Sequence, residues 1–240
     1  MEVIIGLGVG AAVLYLWGWQ RAKYVRWFFQ RRKRAEAFER GMREARESLA
    51  GACPYRKPTP ADRELVALLP ELRELVACGF EPIGELVLQP PGKPAKLAVG
   101  CYLDAAHTTY AMTWTAGAVR LGSYAADKIF ATGQRPHVVL AEPPFIDRAL
   151  LGEKLSIADL VAGHRKRVGD HALARIADLD DLLARLIENH DRAVAWRAAQ
   201  APEELLDADL KCVLGGAYAR YGKAWARRLR GKLPEARLMS

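Results

Sequence analysis

Three regimes of hydrophobic and polar patterning succeed one another along the chain. Val3 to Trp19 (VIIGLGVGAAVLYLWGW) is apolar without interruption. Residues 20–50 are free of proline and set Arg40, Arg43 and Arg46 among Glu36, Glu39, Glu44 and Glu47, a spacing that offers i,i+3 and i,i+4 ion pairs on a solvated helix. Only Phe38, Met42, Ala45 and Leu49 recur there at helical spacing, so the apolar stripe is narrow. Pro54, Pro58 and Pro60 break this helix, and residues 51–58 read as a linker.

The third regime, residues 59–240, has the mixed periodicity of an α+β body. Arg-Glu-Leu-Val-Ala occurs at 63–67 and again at 73–77 with Pro70 between, which predicts two short helices, the second stopped by Gly79. From Phe80 the period changes to two. Strands are predicted at Glu85–Gln89, Lys96–Leu103, Thr109–Thr115, Val119–Tyr124, Lys128–Thr132 and Val138–Ala141. They follow too closely for helical crossovers, so they are expected to pair as an antiparallel meander that ends at Pro143-Pro144. Ser156 and Asp159 form a capping box ahead of a helix to Val168. Asp178 or Asp180 opens another to about Gln200, and a last helix is predicted from about Glu203 to Leu229. The predicted fold is thus an antiparallel β-meander flanked by α-helices, preceded by a transmembrane helix (1–19) and a charged juxtamembrane helix (20–50).

The membrane reading of the first regime rests on length and flanks. Its 17 residues rise about 26 Å as a helix, enough to cross the hydrocarbon layer. Tyr15, Trp17 and Trp19 close it, and Arg21, Lys23, Arg26, Arg31, Arg32, Lys33 and Arg34 follow with no acid among them. Such an aromatic and basic mixture suits the headgroup layer, and the positive-inside rule places the amino terminus outside and the body in the cytoplasm of a single-pass cell-membrane protein. Gly6 and Gly10 have the G-x-x-x-G spacing of a helix-pairing face, which would support a homodimer. Gly6-Leu7-Gly8-Val9-Gly10-Ala11 also spells a dinucleotide-binding turn. The context opposes that, because the helix after it would be apolar all round and no ribose-binding acid stands about twenty residues on.

Charge sharpens the expected partner. The net charge is +8, but residues 51–219 hold 19 Lys/Arg against 22 Asp/Glu, whereas residues 1–50 hold ten against five and residues 220–240 seven against one. A basic excess confined to the chain's two ends favours anionic lipid headgroups, met at the amino-terminal side by the basic run and at the carboxyl-terminal side by Arg227 and Arg228. It does not favour a groove for nucleic acid. Hydrophobic residues make up 51% of the chain and charged residues 27%, which excludes a disordered chain. Cys53, Cys78, Cys101 and Cys212 are too scattered for a disulfide framework.

Candidate chemistry is sparse. No nucleophile elbow, P-loop, His-Glu-x-x-His pair, calcium loop or Cys-rich metal signature is present, and neither a metal nor a cofactor is expected. His164 stands in register with Ile157, Leu160, Val161 and Val168, and His190 with Leu183, Leu186 and Val194, so each belongs to the apolar face of its helix. His107 and Asp104 fall in a hairpin whose residue types also suit an ordinary turn. Two functions follow as expectations. The first is a non-enzymatic interaction or scaffold module at the membrane surface, with a protein partner. The alternative is a membrane-associated enzyme of hydrolytic type, using His164 or His190 with polar residues of the sheet hairpins.

Overall fold

The computed structural model of the chain describes Lys33 and residues 35–47, 51–90, 92, 94–115, 117–133, 140–151 and 155–230. The predicted span Val3–Trp19, its Gly6 and Gly10, and the basic residues Arg21, Lys23, Arg26, Arg31, Arg32 and Arg34 lie outside the described residues. Within them, no helix is long and apolar enough to cross a membrane. The chain divides into two compact units, Met1–Glu44 and Ala45–Ser240. Residues 35–47 are helical (α1), as the ion-pair spacing predicts, and Lys33 is exposed.

The second unit is α+β. After β1 (Tyr55–Arg56) come a 3-10 turn (Pro60–Asp62), α2 (Arg63–Val66) and α3 (Arg73–Ala77). Five strands follow: β2 (Phe80–Leu88), β3 (Leu97–Asp104), β4 (Thr109–Trp114), β5 (Val119–Tyr124) and β6 (Ile129–Gly133). Then come β7 (Ile146–Leu150), α4 (Ile157–Val168), α5 (Leu179–Ala198), α6 (Pro202–Leu214), a short 3-10 turn (Gly215–Ala217) and α7 (Tyr218–Leu229). The strands lie side by side in chain order. β1 to β6 are antiparallel, as a meander requires.

The sheet departs from the predicted meander at both edges. β7 pairs with β6 in parallel, Ile129 opposite Ile146 and Gly133 opposite Leu150. The intervening stretch, residues 134–145, is long enough to return the chain to the same end of the sheet, which a hairpin is not. The strand predicted at Val138–Ala141 does not form at its described residues, Leu140 and Ala141, which are buried in irregular backbone. At the other edge, Tyr55 and Arg56 of the proline-rich stretch pair with Leu88 and Val87. Proline permits this because an edge strand needs hydrogen bonds on one side only.

β2 begins five residues before its predicted start because a bulge between Pro82 and Gly84 absorbs the two breakers. Gly84 has φ +132, and a Cβ there would lie 2.9 Å from Leu179 Cδ2, so only glycine fits. The extra residue also inverts the alternation of side chains: Phe80 packs with Leu75, Ala111, Leu121, Leu160 and Val161 on one face, whereas Leu86 packs with Val99, Met112, Ile176 and Leu182 on the other.

Helix signals in the sequence translate directly. Ser156 Oγ accepts from Asp159 N at 3.1 Å and opens α4. Asp178 accepts from the backbone of Asp180 and Asp181 at 2.9 and 3.0 Å and opens α5. The predicted last helix is two helices, because Gly215 takes φ +49 and ends α6 before the chain restarts as α7.

Candidate functional site

A cavity of about 370 Å³ lies between α5 and the sheet face that bears Tyr110, Arg120 and Tyr124, with Cys53 to Tyr55 and residues 140–148 contributing the remaining walls. Its floor is built by a glycine. Tyr110 stands opposite Gly122 in the β4–β5 register, and a Cβ on Gly122 would clash with the Tyr110 ring, 2.2 Å from Cζ. The bare strand lets the ring lie across β5 and stack on Tyr124, centroids 5.5 Å apart at 24°. Burial pushes the hydroxyls of Tyr55, Tyr110 and Tyr124 above the ordinary phenol range, so at neutral pH all three remain protonated donors.

Arginines supply the charge. Arg120, from β5, has its guanidinium 5.2 Å over the Trp114 ring and has no carboxylate within 4 Å among the described residues. Arg148, from β7, pairs with Glu142 at 2.6 Å, yet its buried Nε has no hydrogen-bond partner. Burial, then the positive charge of Arg120, lowers the Arg148 pKa. Burial likewise raises Glu142 against the opposing pull of Arg148, Arg120 and Arg197. Tyr124 Oη is a second buried atom without a well-formed hydrogen bond, although Tyr110 and Asn189 are beside it.

Arg197 belongs to the cavity wall and to a buried ionic cluster behind it. Asp209 of α6, fully buried, takes Arg197 Nη2 at 2.8 Å and Nη1 at 3.1 Å, Arg46 Nε at 2.9 Å and the Ala141 amide at 2.9 Å. Arg197 Nη1 also donates to the Ala141 carbonyl at 2.7 Å. One carboxylate therefore joins Arg46 to α5, α6 and the segment before β7.

The four residues singled out in the sequence do not share one site. His190 lines the cavity, and its Nε2–H donates to the Gly51 carbonyl at 2.8 Å. His164 lies against the opposite sheet face, fully buried, with Nε2 3.0 Å from Ser123 Oγ and Nδ1 2.8 Å from Thr132 Oγ1. Thr109 Oγ1 extends this network at 3.0 Å from Ser123, and Arg167 donates to Thr132 at 2.6 Å. Burial, and then Arg167, depresses the His164 pKa to about 4, which keeps the ring neutral. Ser123, Thr132 and His164 are all shut off from solvent, so the serine–histidine contact has no route to a substrate.

Asp104 and His107 build a turn. Asp104 Oδ1 accepts from Thr108 N and Thr109 N at 2.8 and 3.0 Å. His107 adopts φ +58, and its Nδ1–H donates to the Ile176 carbonyl at 3.1 Å, fastening the hairpin to the segment before α5. Arg227 and Arg228 are exposed on α7, the latter 5.3 Å over the Trp225 ring. Among the described residues, no three His, Cys, Asp or Glu side chains gather as a metal site.

Sequence reasoning missed Arg120, Arg148, Tyr110 and Tyr124 as a group. One signal was available for the first: a lone charged residue inside the strand Val119–Tyr124 is costly unless its position faces a cavity or a partner. No protein-family model, curated protein or solved structure matches the chain.

Proposed function

We propose that this chain is a non-enzymatic binding module held at a membrane surface. Val3–Trp19 serves as the span, the basic run from Arg21 to Arg34 and the exposed Arg227 and Arg228 of α7 meet anionic headgroups, and the second unit does the binding. The observation that supports binding over catalysis is the composition of the cavity. It gathers arginines and protonated tyrosines, which hold a ligand, while the sequence's base candidates are elsewhere or, for His190, hydrogen-bonded to backbone.

Alkaline carbonate extraction of membranes from cells expressing the full chain tests the membrane half of this reading. Retention in the pellet, lost on deletion of residues 1–19, is the expected result. Release of the intact chain into the supernatant would overturn it.

A further inference from the structure

Resting on the binding-module reading, we infer that the cavity between α5 and the β4–β5 face binds a small organic anion, a carboxylate or phosphate on an apolar body, with Arg120 and Arg148 taking the charged group and Tyr110 and Tyr124 taking the body.

The charge balance points to an anion. Counting Arg46 and Asp209 behind the wall, four arginines stand against two acids, Glu142 and Asp209, around this one volume. Arg120 is near enough for its positive charge to disfavour that of Arg148 in a poorly hydrated place. A buried arrangement of like charges is costly, and an anion between them removes the cost. Glu142 is paired with Arg148, and Asp209 is already committed to Arg197 and Arg46, which leaves Arg120 with no carboxylate at ion-pair distance among the described residues.

Two under-satisfied donors supply independent support. Arg148 Nε is buried without a hydrogen-bond partner, and Tyr124 Oη is buried with no well-formed one although Tyr110 and Asn189 are beside it, a costly situation in a folded protein. Both belong to side chains that line the cavity, and both are donors only toward an anion, since the tyrosine hydroxyl stays protonated. An acceptor-only ligand head satisfies them; a cation or an alcohol does not do so as well.

The rest of the lining sets the body of the ligand. Apart from the arginines, Glu142, Asn189 and His190, the walls are aliphatic, aromatic or small, including Leu88, Ile129, Ile146 and Leu186. A volume of about 370 Å³ admits a one- or two-ring acid or a medium-chain fatty acid, and is too small for a macromolecular segment with its own fold. Inorganic phosphate alone would leave the apolar walls uncovered.

The test is isothermal titration of the purified full chain with indole-3-acetate, octanoate, phenyl phosphate, inorganic phosphate and benzyl alcohol. At least one of the three organic anions is expected to bind, with inorganic phosphate and benzyl alcohol at least about tenfold weaker. Arg120→Gln should weaken the organic anion about tenfold or more. Tyr124→Phe, which removes the under-satisfied hydroxyl without changing the stack, should keep or raise the melting temperature and weaken binding about three- to tenfold. Preference for octanoate over the two ring compounds assigns an aliphatic body, and the reverse an aromatic one. Absence of binding by all three organic anions overturns the inference, as does an Arg120→Gln chain that melts normally and binds as well as the parent. Either outcome leaves the membrane-held module standing if carbonate extraction retains the chain, whereas carbonate release removes that reading and leaves the ligand result intact.

Discussion

Asp209 and Arg197 meet through two parallel contacts, 2.8 and 3.1 Å, with neither side chain exposed by more than 3%. The bidentate geometry satisfies both carboxylate oxygens, and Arg46 and the Ala141 amide complete the carboxylate's partners. A buried pair of this kind owes little to net attraction, but breaking it strands the remaining charges. Asp209→Asn leaves two buried guanidiniums facing a neutral amide, and a loss of about 3–5 kcal/mol in urea unfolding is expected. A loss below 1 kcal/mol would mean that the cluster relaxes into solvent.

The same cluster bears on where the body begins. Arg46 and β1 precede the boundary drawn at residue 59 from proline content, yet both belong to the second unit. A chain starting at Ala35 is therefore expected to melt cooperatively, and one starting at Thr59 to melt at least about 10 °C lower or to aggregate, since it loses a buried arginine, an edge strand and one cavity wall. Equal melting temperatures would show that these contacts contribute nothing.

His164 gives the fold a pH dependence of defined sign. Its folded pKa, about 4, lies below its ordinary value of 6.5. The unfolded chain therefore binds the proton more readily, and stability is full above about pH 6.5 and falls as the pH drops toward 4, by up to about 3 kcal/mol. His164→Gln should lower stability at pH 7 and flatten this dependence when urea midpoints are compared at pH 4.5 and 7. An unchanged slope would assign the acid sensitivity to other groups.

What the sequence disclosed, and what it hid, follows from the range of each interaction. Caps are local, so Ser156 and Asp178 announced α4 and α5. The alternation of Val119 to Tyr124 marked β5 because neighbours two apart share a face. The parallel pairing of β7 depends on where a twelve-residue excursion returns, and the cavity depends on Arg120, Arg148 and Arg197 arriving from three elements. No local spacing encodes either. By its spacing Arg46 is one member of a solvated ion-pair ladder, a pattern that its neighbours fit. Its burial comes from Asp209, 163 residues away.

The basic face of α7 offers a salt-dependent readout. Arg220, Lys223, Arg227, Arg228 and Arg230 are all exposed. The chain from Ala35, without residues 1–34, is expected to bind vesicles containing phosphatidylserine weakly at low ionic strength and to release them as salt is raised. Arg227→Glu with Arg228→Glu should abolish most of that binding. Binding that persists at high salt would indicate apolar insertion instead.

On the proposed reading the cavity against α5, and not the His164 network on the other face, is where the body takes its ligand. Side-chain NMR of protein labelled at arginine, tyrosine and histidine, titrated with the tightest organic anion, separates the two. Shifts are expected at Arg120, Arg148, Tyr110 and Tyr124, with His164 unmoved. Shifts centred on His164, with the four cavity residues silent, would contradict the account.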